Sequence, residues 1–243
     1  MSVILQTSDL WRTFGGVAAV AGVDFELREG ELRCLIGANG AGKSTFFKML
    51  TGQLKPTSGR ITLYGKDITR LPSFAIARMG VGIKTQVPNL FNGLSVHENL
   101  MVAARFGMSA REAADAVDAM LERIQMASQA RLPVGSLAHG HRQWVELGMI
   151  LINDPRLVLL DEPAAGMTAG EVERTIALLE GMRGKRSFII VEHDMHFIRR
   201  IAERVTVFHR GRVLVEDTMD EVVRNTEVRD AYLGSAGTKR AAT

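Results

Sequence analysis

Cysteine is nearly absent from this 243-residue sequence, and Cys34 is its only example. A single thiol cannot form a disulfide within the chain, which excludes a disulfide-stapled secreted domain and is typical of a reducing compartment. Cys34 lies within the apolar residues 32–36. We therefore expect it to be a small buried core residue.

Long hydrophobic runs are also missing. The purely apolar stretches, such as residues 157–160 and 188–191, are far shorter than the roughly 20 residues that a membrane-spanning helix needs. Residues 1–10 contain no basic group and include Asp9, so a secretory signal is not expected. The sequence predicts a cytoplasmic chain that does not cross a bilayer.

The charge is nearly balanced and the aromatic content is low. The net charge is +3, aromatic residues make up 6%, and the basic residues are not interleaved with aromatics. These values give little support to nucleic-acid binding. With 46% hydrophobic residues, the chain is long enough for one large globular domain with an inserted lobe.

A glycine-rich run follows the apolar residues 32–36 and leads into residues 46–50, which predicts a strand, a loop and a helix. Glycines allow successive backbone N–H groups to turn toward phosphate oxygens, and the helix N-terminus favours negative charge. Lys43 is expected to reach the β- and γ-phosphates, and the Ser44 hydroxyl to bind Mg²⁺. The alternative is a glycine-rich turn that binds nothing. The residues of this phosphate loop that are expected to contact the nucleotide are Gly37, Ala38, Asn39, Gly40, Ala41, Gly42, Lys43, Ser44 and Thr45.

A second apolar segment, residues 157–160, ends in Asp161 and Glu162. This arrangement predicts that Asp161 lies beside the Mg²⁺ of a phosphate-loop nucleotide and that Glu162 orients or deprotonates the attacking water. The alternative is a pair of carboxylates at a helix N-terminus. His193 follows residues 188–191 and should reach the same sheet edge, where it is expected to sense the γ-phosphate; by itself, a histidine there is more often a surface group.

Two pairs of histidines also raise the possibility of a metal site. His193 and His196 are three residues apart, and His139 and His141 are two residues apart. Neither pair has a third ligand or a cysteine nearby, so we do not expect zinc.

Hydrophobic patterning predicts a mixed α/β chain. Strands with glycines at their ends suggest an antiparallel edge region, and continuous apolar runs suggest a parallel central sheet. The patternless last residues predict a disordered tail at 235–243. The expected antiparallel strands are residues 3–7, 22–27, 59–63 and 213–216; the expected central strands are 32–36, 157–160 and 188–191; the expected helices are 96–106, 110–125, 143–153 and 171–182.

These motifs resemble those of the ATP-binding subunits of ABC transporters, and the resemblance extends to about residue 234. It rests on the two nucleotide motifs already described and on several shorter matches. Within the family, residues 162–168, 192–195 and 231–234 are similar to importers of branched-chain amino acids and of urea, and residues 140–144 lean toward the urea branch. The other matches are Phe14 at the adenine-stacking position, Gln86 at the Q-loop, residues 137–141 at the signature motif, and His193 at the switch histidine.

The resemblance implies a single ABC ATPase domain at residues 1–234. It implies a phosphate-loop NTPase fold with a mixed central sheet, an antiparallel β subdomain and an inserted helical subdomain at about 90–153. The implied function is ATP hydrolysis with Mg²⁺ to drive uptake of branched-chain amino acids, urea or short amides. Besides the phosphate loop, the implied nucleotide contacts are Phe14, Gln86, Ala138, His139 and Gly140; the metal ligands are Ser44, Gln86 and Asp161; and the catalytic residues are Glu162, His193 and Lys43.

The implied partners are a second ATP-binding subunit, two membrane permeases and a periplasmic or extracellular solute-binding protein. The two ATP-binding subunits would pack head to tail when ATP binds, with each ATP between one phosphate loop and the partner's signature motif. The chain would lie on the inner face of the membrane. No nucleic-acid partner is expected.

Several residues of the chain depart from the family pattern. Ala138 replaces the signature serine, His141 replaces the signature glutamine, and Thr168 stands where an aspartate is usual. Since Ala138 has no hydroxyl for the partner's ATP, these departures indicate either a degenerate site or pairing with a different subunit as a heterodimer.

Two other functions compete with transport. A soluble ABC ATPase that acts on nucleic acid would need a long coiled coil between Gln86 and Leu137, but only about 50 residues without sustained heptads separate them. A nucleotide-dependent scaffold without turnover would not need Glu162 as a catalytic carboxylate.

Overall fold

The structure, a computed structural model, describes residues 2–86 and 89–237. Its first sheet has four strands in the order β2-β1-β4-β5, and every pairing in it is antiparallel. Three of the four short strands that the sequence predicts for an antiparallel region lie in this sheet. Its strands are β1 (Val3–Phe14), β2 (Val17–Arg28), β4 (Ser58–Leu63) and β5 (Lys66–Asp67).

The second sheet has six strands in the order β10-β9-β3-β8-β7-β6. The five strands from β9 to β6 pair in parallel, and β10 pairs antiparallel with β9 at one edge. The predicted strand at 213–216 belongs to β10 and so lies in this sheet, not in the four-stranded one. The strands are β3 (Leu32–Gly37), β6 (Val81–Lys84), β7 (Leu157–Asp161), β8 (Ser187–Val191), β9 (Arg204–His209) and β10 (Arg212–Asp217).

Helices connect these strands, and three of them, α3 to α5, lie in sequence between β6 and β7. Ser95 with Glu98, Ser109 with Glu112, and Thr168 with Glu171 form capping boxes that fix the starts of α3, α4 and α6. The helices are α1 (Lys43–Leu50), α2 (Ser73–Ala77), α3 (Val96–Ala104), α4 (Ala110–Arg123), α5 (His139–Leu151), α6 (Ala169–Glu180), α7 (Met195–Ile201), α8 (Met219–Arg224) and α9 (Thr226–Gly237).

The six-stranded sheet separates two hydrophobic cores. Because successive side chains of a strand point to opposite faces, Cys34 packs with the core that includes α3 to α6, while Leu35 packs with the core that includes α1 and the four-stranded sheet. Cys34 is fully buried, as predicted, and burial raises the pKa of its thiol. The sheet thus holds its strand ends rigidly between two packed layers.

Two predictions concern the chain's end and its relation to membranes. Residues 235–237 of the predicted disordered tail lie in α9, and residues 238–243 are outside the described residues. Among the described residues, no helix is long and apolar enough to cross a bilayer.

Candidate active site

The phosphate loop connects the end of β3 to the start of α1 and takes the strand-loop-helix form that the sequence predicts. Gly42, the N-cap of α1, has φ +108, and Gly37 has φ +152. A Cβ at Gly42 would overlap the Ala19 carbonyl oxygen on β2, and one at Gly37 would overlap the Phe208 carbonyl oxygen on β9. Both positions therefore require glycine, since the backbone of each strand approaches too closely for a side chain.

Lys43 begins α1 and folds over the loop. Its Nζ donates to the carbonyl oxygens of Gly37 at 2.6 Å and Ala38 at 3.1 Å. Burial lowers the pKa of Lys43, whereas the nearby carboxylates of Glu162 and Asp161 oppose that shift. The ammonium group therefore lies at the loop, as a phosphate-binding lysine must.

Asp161 ends β7, and only 3% of its surface is exposed. Burial and then the charge of Glu162 raise its pKa from 3.8 to about 6, while Lys84, Lys48 and Lys43 oppose the rise. Its Oδ1 has no hydrogen-bond partner within the described part of the chain. A buried carboxylate oxygen with an open coordination position fits a hard, oxygen-binding cation such as Mg²⁺.

Glu162 and His193 meet at the carboxyl edge of the sheet. The Glu162 backbone has φ +49, which is uncommon for a residue with a side chain, and its N–H donates to the Val191 carbonyl oxygen at 2.9 Å. His193 Nδ1 lies 3.8 Å from Glu162 Oε1. The His193 side chain is 70% exposed and that of Glu162 is 32% exposed, so both are accessible to water and substrate.

Glu192 is a buried carboxylate that the sequence analysis does not identify. Its oxygens accept hydrogen bonds from the backbone N–H groups of Ala164 at 3.1 Å, His193 at 2.8 Å and Asp194 at 3.2 Å. Its side chain is 1% exposed. Glu192 thereby joins the loop after Glu162 to the turn that carries His193. The available sequence signal was an acidic residue directly after an apolar strand.

The signature motif lies at the start of α5. Ala138 is the N-cap residue and offers no side-chain cap, and His139 Nε2 lies 3.1 Å from the Ala165 carbonyl oxygen. A Cβ at Gly140 would overlap the Glu171 carboxylate. The segment predicted to be the signature motif therefore contacts the loop after Glu162; none of its hydrogen bonds between described residues reaches the phosphate loop.

A buried ion pair connects α5 to β6. Lys84 Nζ lies 3.5 Å from Glu146 Oε2, and the two side chains are 2% and 3% exposed. Glu146 Oε1 also accepts a hydrogen bond from the Asn89 backbone N–H at 3.0 Å. Glu146 thus contacts the chain on both sides of Gln86, which is itself exposed. The sequence analysis does not identify this pair.

Phe14 lies at the end of β1, in the four-stranded sheet. Its side chain is 46% exposed, and the Arg12 guanidinium lies 4.5 Å from the ring centroid. The following hairpin leads into β2, whose Ala19 contacts the phosphate loop at Gly42. This path along the chain agrees with a base-stacking role, which remains a prediction.

Comparisons with known proteins agree with this geometry. The family described as "ABC transporter" matches residues 20–165, and the family described as "Branched-chain amino acid ATP-binding cassette transporter" matches residues 212–238.

Two relatives are described as ATP-binding proteins of branched-chain amino acid transport. The high-affinity branched-chain amino acid transport ATP-binding protein LivG of Salmonella typhimurium is 37% identical, covering 96% of this chain and 98% of its own. The corresponding protein BraF of Pseudomonas aeruginosa is 35% identical with the same coverage.

A solved structure has the same fold. The ADP conformation of MJ1267, described as an ATP-binding cassette of an ABC transporter, superposes with a TM-score of 0.85 at 26% identity. The match covers 96% of this chain and 100% of that one.

Proposed function

Because the chain belongs to the ABC transporter family of ATP-binding subunits, we propose that its ATPase activity powers an importer of branched-chain amino acids. The observation that carries the solute class is the match of residues 212–238 to the family specific to branched-chain amino acid transporters. Urea or another short amide is the second candidate, which residues 140–144 favour.

The residues of the phosphate loop fit a nucleoside triphosphate. Lys43 and the N-terminus of α1 would face the phosphates, and Phe14 would stack on the base. Ser44 and Asp161 would hold Mg²⁺, with Gln86 as a further ligand. When bound, the ion neutralises phosphate charge.

Glu162 is the group proposed to remove a proton from the attacking water. Its side chain is partly exposed, and its strained backbone conformation is fixed by the hydrogen bond to Val191. His193, at 3.8 Å, is proposed to donate to the γ-phosphate beside it. A carboxylate and a histidine at one sheet edge can thus orient a water molecule on one side and a phosphate oxygen on the other.

The partners are proposed to be a second ATP-binding subunit, different from this chain, two permeases and a solute-binding protein outside the membrane. What supports a permease surface is an exposed aromatic pair, Phe74 at 65% and Phe106 at 68% exposure, with the Arg78 guanidinium 5.9 Å from both rings. Phe106 and Arg78 line a cavity of about 390 Å³ beside β6. Exposed aromatics around a groove are typical of protein interfaces. This surface would hold the chain at the inner face of the membrane.

The structure disfavours one of the two competing functions, and an experiment must decide the other. The nucleic-acid reading needs a long coiled coil between Gln86 and Leu137; in the described residues between them, the longest helix, α4, has 14 residues. The described residues therefore contain no coiled coil of the kind that a nucleic-acid function needs. The scaffold reading differs from transport only in turnover, which makes Glu162 the residue to test.

The experiment uses the full chain with its permeases and partner subunit in vesicles. Glu162→Gln should bind ATP and dimerise, yet hydrolyse it at least a hundredfold more slowly, because water activation fails while the phosphate loop is intact. Near-wild-type turnover in this variant would remove Glu162 from the mechanism. Uptake of labelled leucine, with labelled urea in a parallel arm, decides the solute.

A further inference from the structure

We propose that His139 is a positioning residue that joins the signature segment, residues 137–141, to the catalytic loop, residues 163–168, within one chain. The inference rests on the proposed function. In the head-to-tail dimer, the signature segment faces the partner's ATP, whereas the catalytic loop directly follows this chain's own Glu162. The contact would therefore connect the two ATP sites.

The contact is a hydrogen bond to a backbone carbonyl. His139 Nε2 lies 3.1 Å from the Ala165 oxygen, and the Ala165 N–H in turn lies 3.2 Å from the Glu162 carbonyl oxygen. A carbonyl oxygen can only accept, so the imidazole must carry a hydrogen on Nε2 to make this bond. The ring is thus two hydrogen bonds away from the backbone of Glu162.

Gln143, one turn along α5, is the second group near this nitrogen. Its side-chain amide lies 3.2 Å from His139 Nε2, and one ring nitrogen cannot donate to Ala165 and accept from an amide N–H at once. Turning the Gln143 amide over would remove this conflict, since its Oε1 has no hydrogen-bond partner among the described residues and would then accept from the Nε2 hydrogen. Both neighbours then fix the same tautomer.

Two further contacts hold the signature segment against the catalytic loop. Gly166 has φ +71, and a Cβ there would lie 3.1 Å from the His139 ring, so the ring packs directly on its backbone. Gly140 packs against the Glu171 carboxylate, which accepts from the Thr168 N–H at 2.8 Å and from its hydroxyl at 2.9 Å. The contacts therefore continue from the loop into the cap of α6.

The residue before the His139 contact, Ala164, is held by another element. The Ala164 N–H donates to Glu192, which is buried at the end of β8. With His139 replaced, the loop would keep the Glu192 bond but lose its hydrogen bond to α5. We therefore expect a local effect on the loop and on turnover, without loss of nucleotide binding.

The test compares three variants of the full chain. His139→Phe keeps a ring over Gly166 but removes the donor, whereas His139→Gln keeps an amide N–H near the Nε2 position. His97→Phe, the same change on α3, is the matched control. The two readouts are hydrogen exchange of residues 163–168 in the isolated chain, and kcat, KM and ADP affinity.

We expect His139→Phe to speed exchange in residues 163–168 and to lower kcat, each by about three- to tenfold, the scale of one net hydrogen bond. KM and ADP affinity should stay within twofold, and His139→Gln should restore most of the loss. Unchanged exchange in His139→Phe would overturn the contact, and faster exchange with unchanged kcat would overturn its positioning role. A wild-type assembly of this chain with its partner subunit and permeases that lacked ATPase activity would overturn the proposed function, while the exchange result would still decide the contact.

Discussion

Replacing Asp161 with asparagine should stabilise the nucleotide-free chain while abolishing Mg²⁺-dependent hydrolysis. Asp161 is 3% exposed, and its Oδ1 has no hydrogen-bond partner within the described residues. A buried carboxylate in that position costs folding free energy unless a cation compensates it. The protein therefore retains at this site a charge that weakens the fold.

The magnitude follows from the pKa. Burial and the Glu162 charge raise the pKa of Asp161 from 3.8 to about 6, a shift of roughly 2 units that corresponds to about 3 kcal/mol. Between these two values the folded state binds more protons than the unfolded state, so the free energy of unfolding falls as pH rises. Below pH 3.8 Asp161 does not lower the free energy of unfolding, and above pH 6 it lowers it by the full amount.

The assay is urea unfolding of wild type and Asp161→Asn in EDTA, at pH 4 and at pH 8. We expect nearly equal stabilities at pH 4 and a variant about 1–3 kcal/mol more stable at pH 8, the lower bound allowing for burial of the asparagine amide. Adding Mg²⁺ and ATP should stabilise the wild type more than the variant. A stability difference independent of pH would refute the reasoning, because it would not come from the charge.

Two other substitutions test the nucleotide contacts. Phe14→Ala should weaken ADP binding by about 1–3 kcal/mol, the scale of base–aromatic stacking, and unchanged affinity in a titration would remove Phe14 from the site. Ala138→Ser should add an N-cap to α5, worth about 1 kcal/mol in urea unfolding, and restore a donor for the partner's ATP. The added donor should therefore raise turnover or tighten ATP-driven dimerisation about ten- to hundredfold. The ADP affinity of the isolated chain should stay unchanged. If neither turnover nor dimerisation changes, Ala138 does not face a nucleotide.

In the central parallel sheet, the strands that could be predicted are those whose apolar residues are continuous. β3, β7 and β8 are buried on both faces, and their sequences show it directly. β6 was missed because it contains Gly82 and ends in Lys84, whose burial depends on Glu146 far along the chain. β9 was missed because Thr206, at its centre, is buried only through hydrogen bonds with Arg33 and Glu216.

The start of α5 shows a different limit. The hydrophobic pattern predicts that this helix begins at residue 143, whereas α5 begins at His139 in the structure. A helix start is predicted from a capping side chain, and Ala138 has none. By contrast, α6 begins close to its predicted start because Thr168 and Glu171 form a capping box.

The candidate site likewise contains residues that a local motif predicts and residues whose role depends on the folded structure. Gly37, Lys43, Asp161 and Glu162 belong to local motifs, in which the chemistry and the spacing are written in adjacent residues. Glu192 acts through backbone groups on two separate turns, so its role exists only once β7 and β8 are neighbours. Sequence patterns therefore identify the groups proposed to touch the nucleotide more readily than the groups that would position them.

Three contacts from two elements hold the backbone around Glu162. The Val191 carbonyl at the end of β8 accepts from the Glu162 N–H, Glu192 directly after β8 accepts from the Ala164 N–H, and His139 at the start of α5 contacts the Ala165 carbonyl oxygen. The Val191 and Glu192 contacts belong to the sheet side, whereas the His139 contact comes from α5. If α5 shifted relative to the sheet, the His139 bond would lengthen or break and the surroundings of Glu162 would change. Under the proposed function, a partner that displaces α5 would therefore alter hydrolysis without touching ATP.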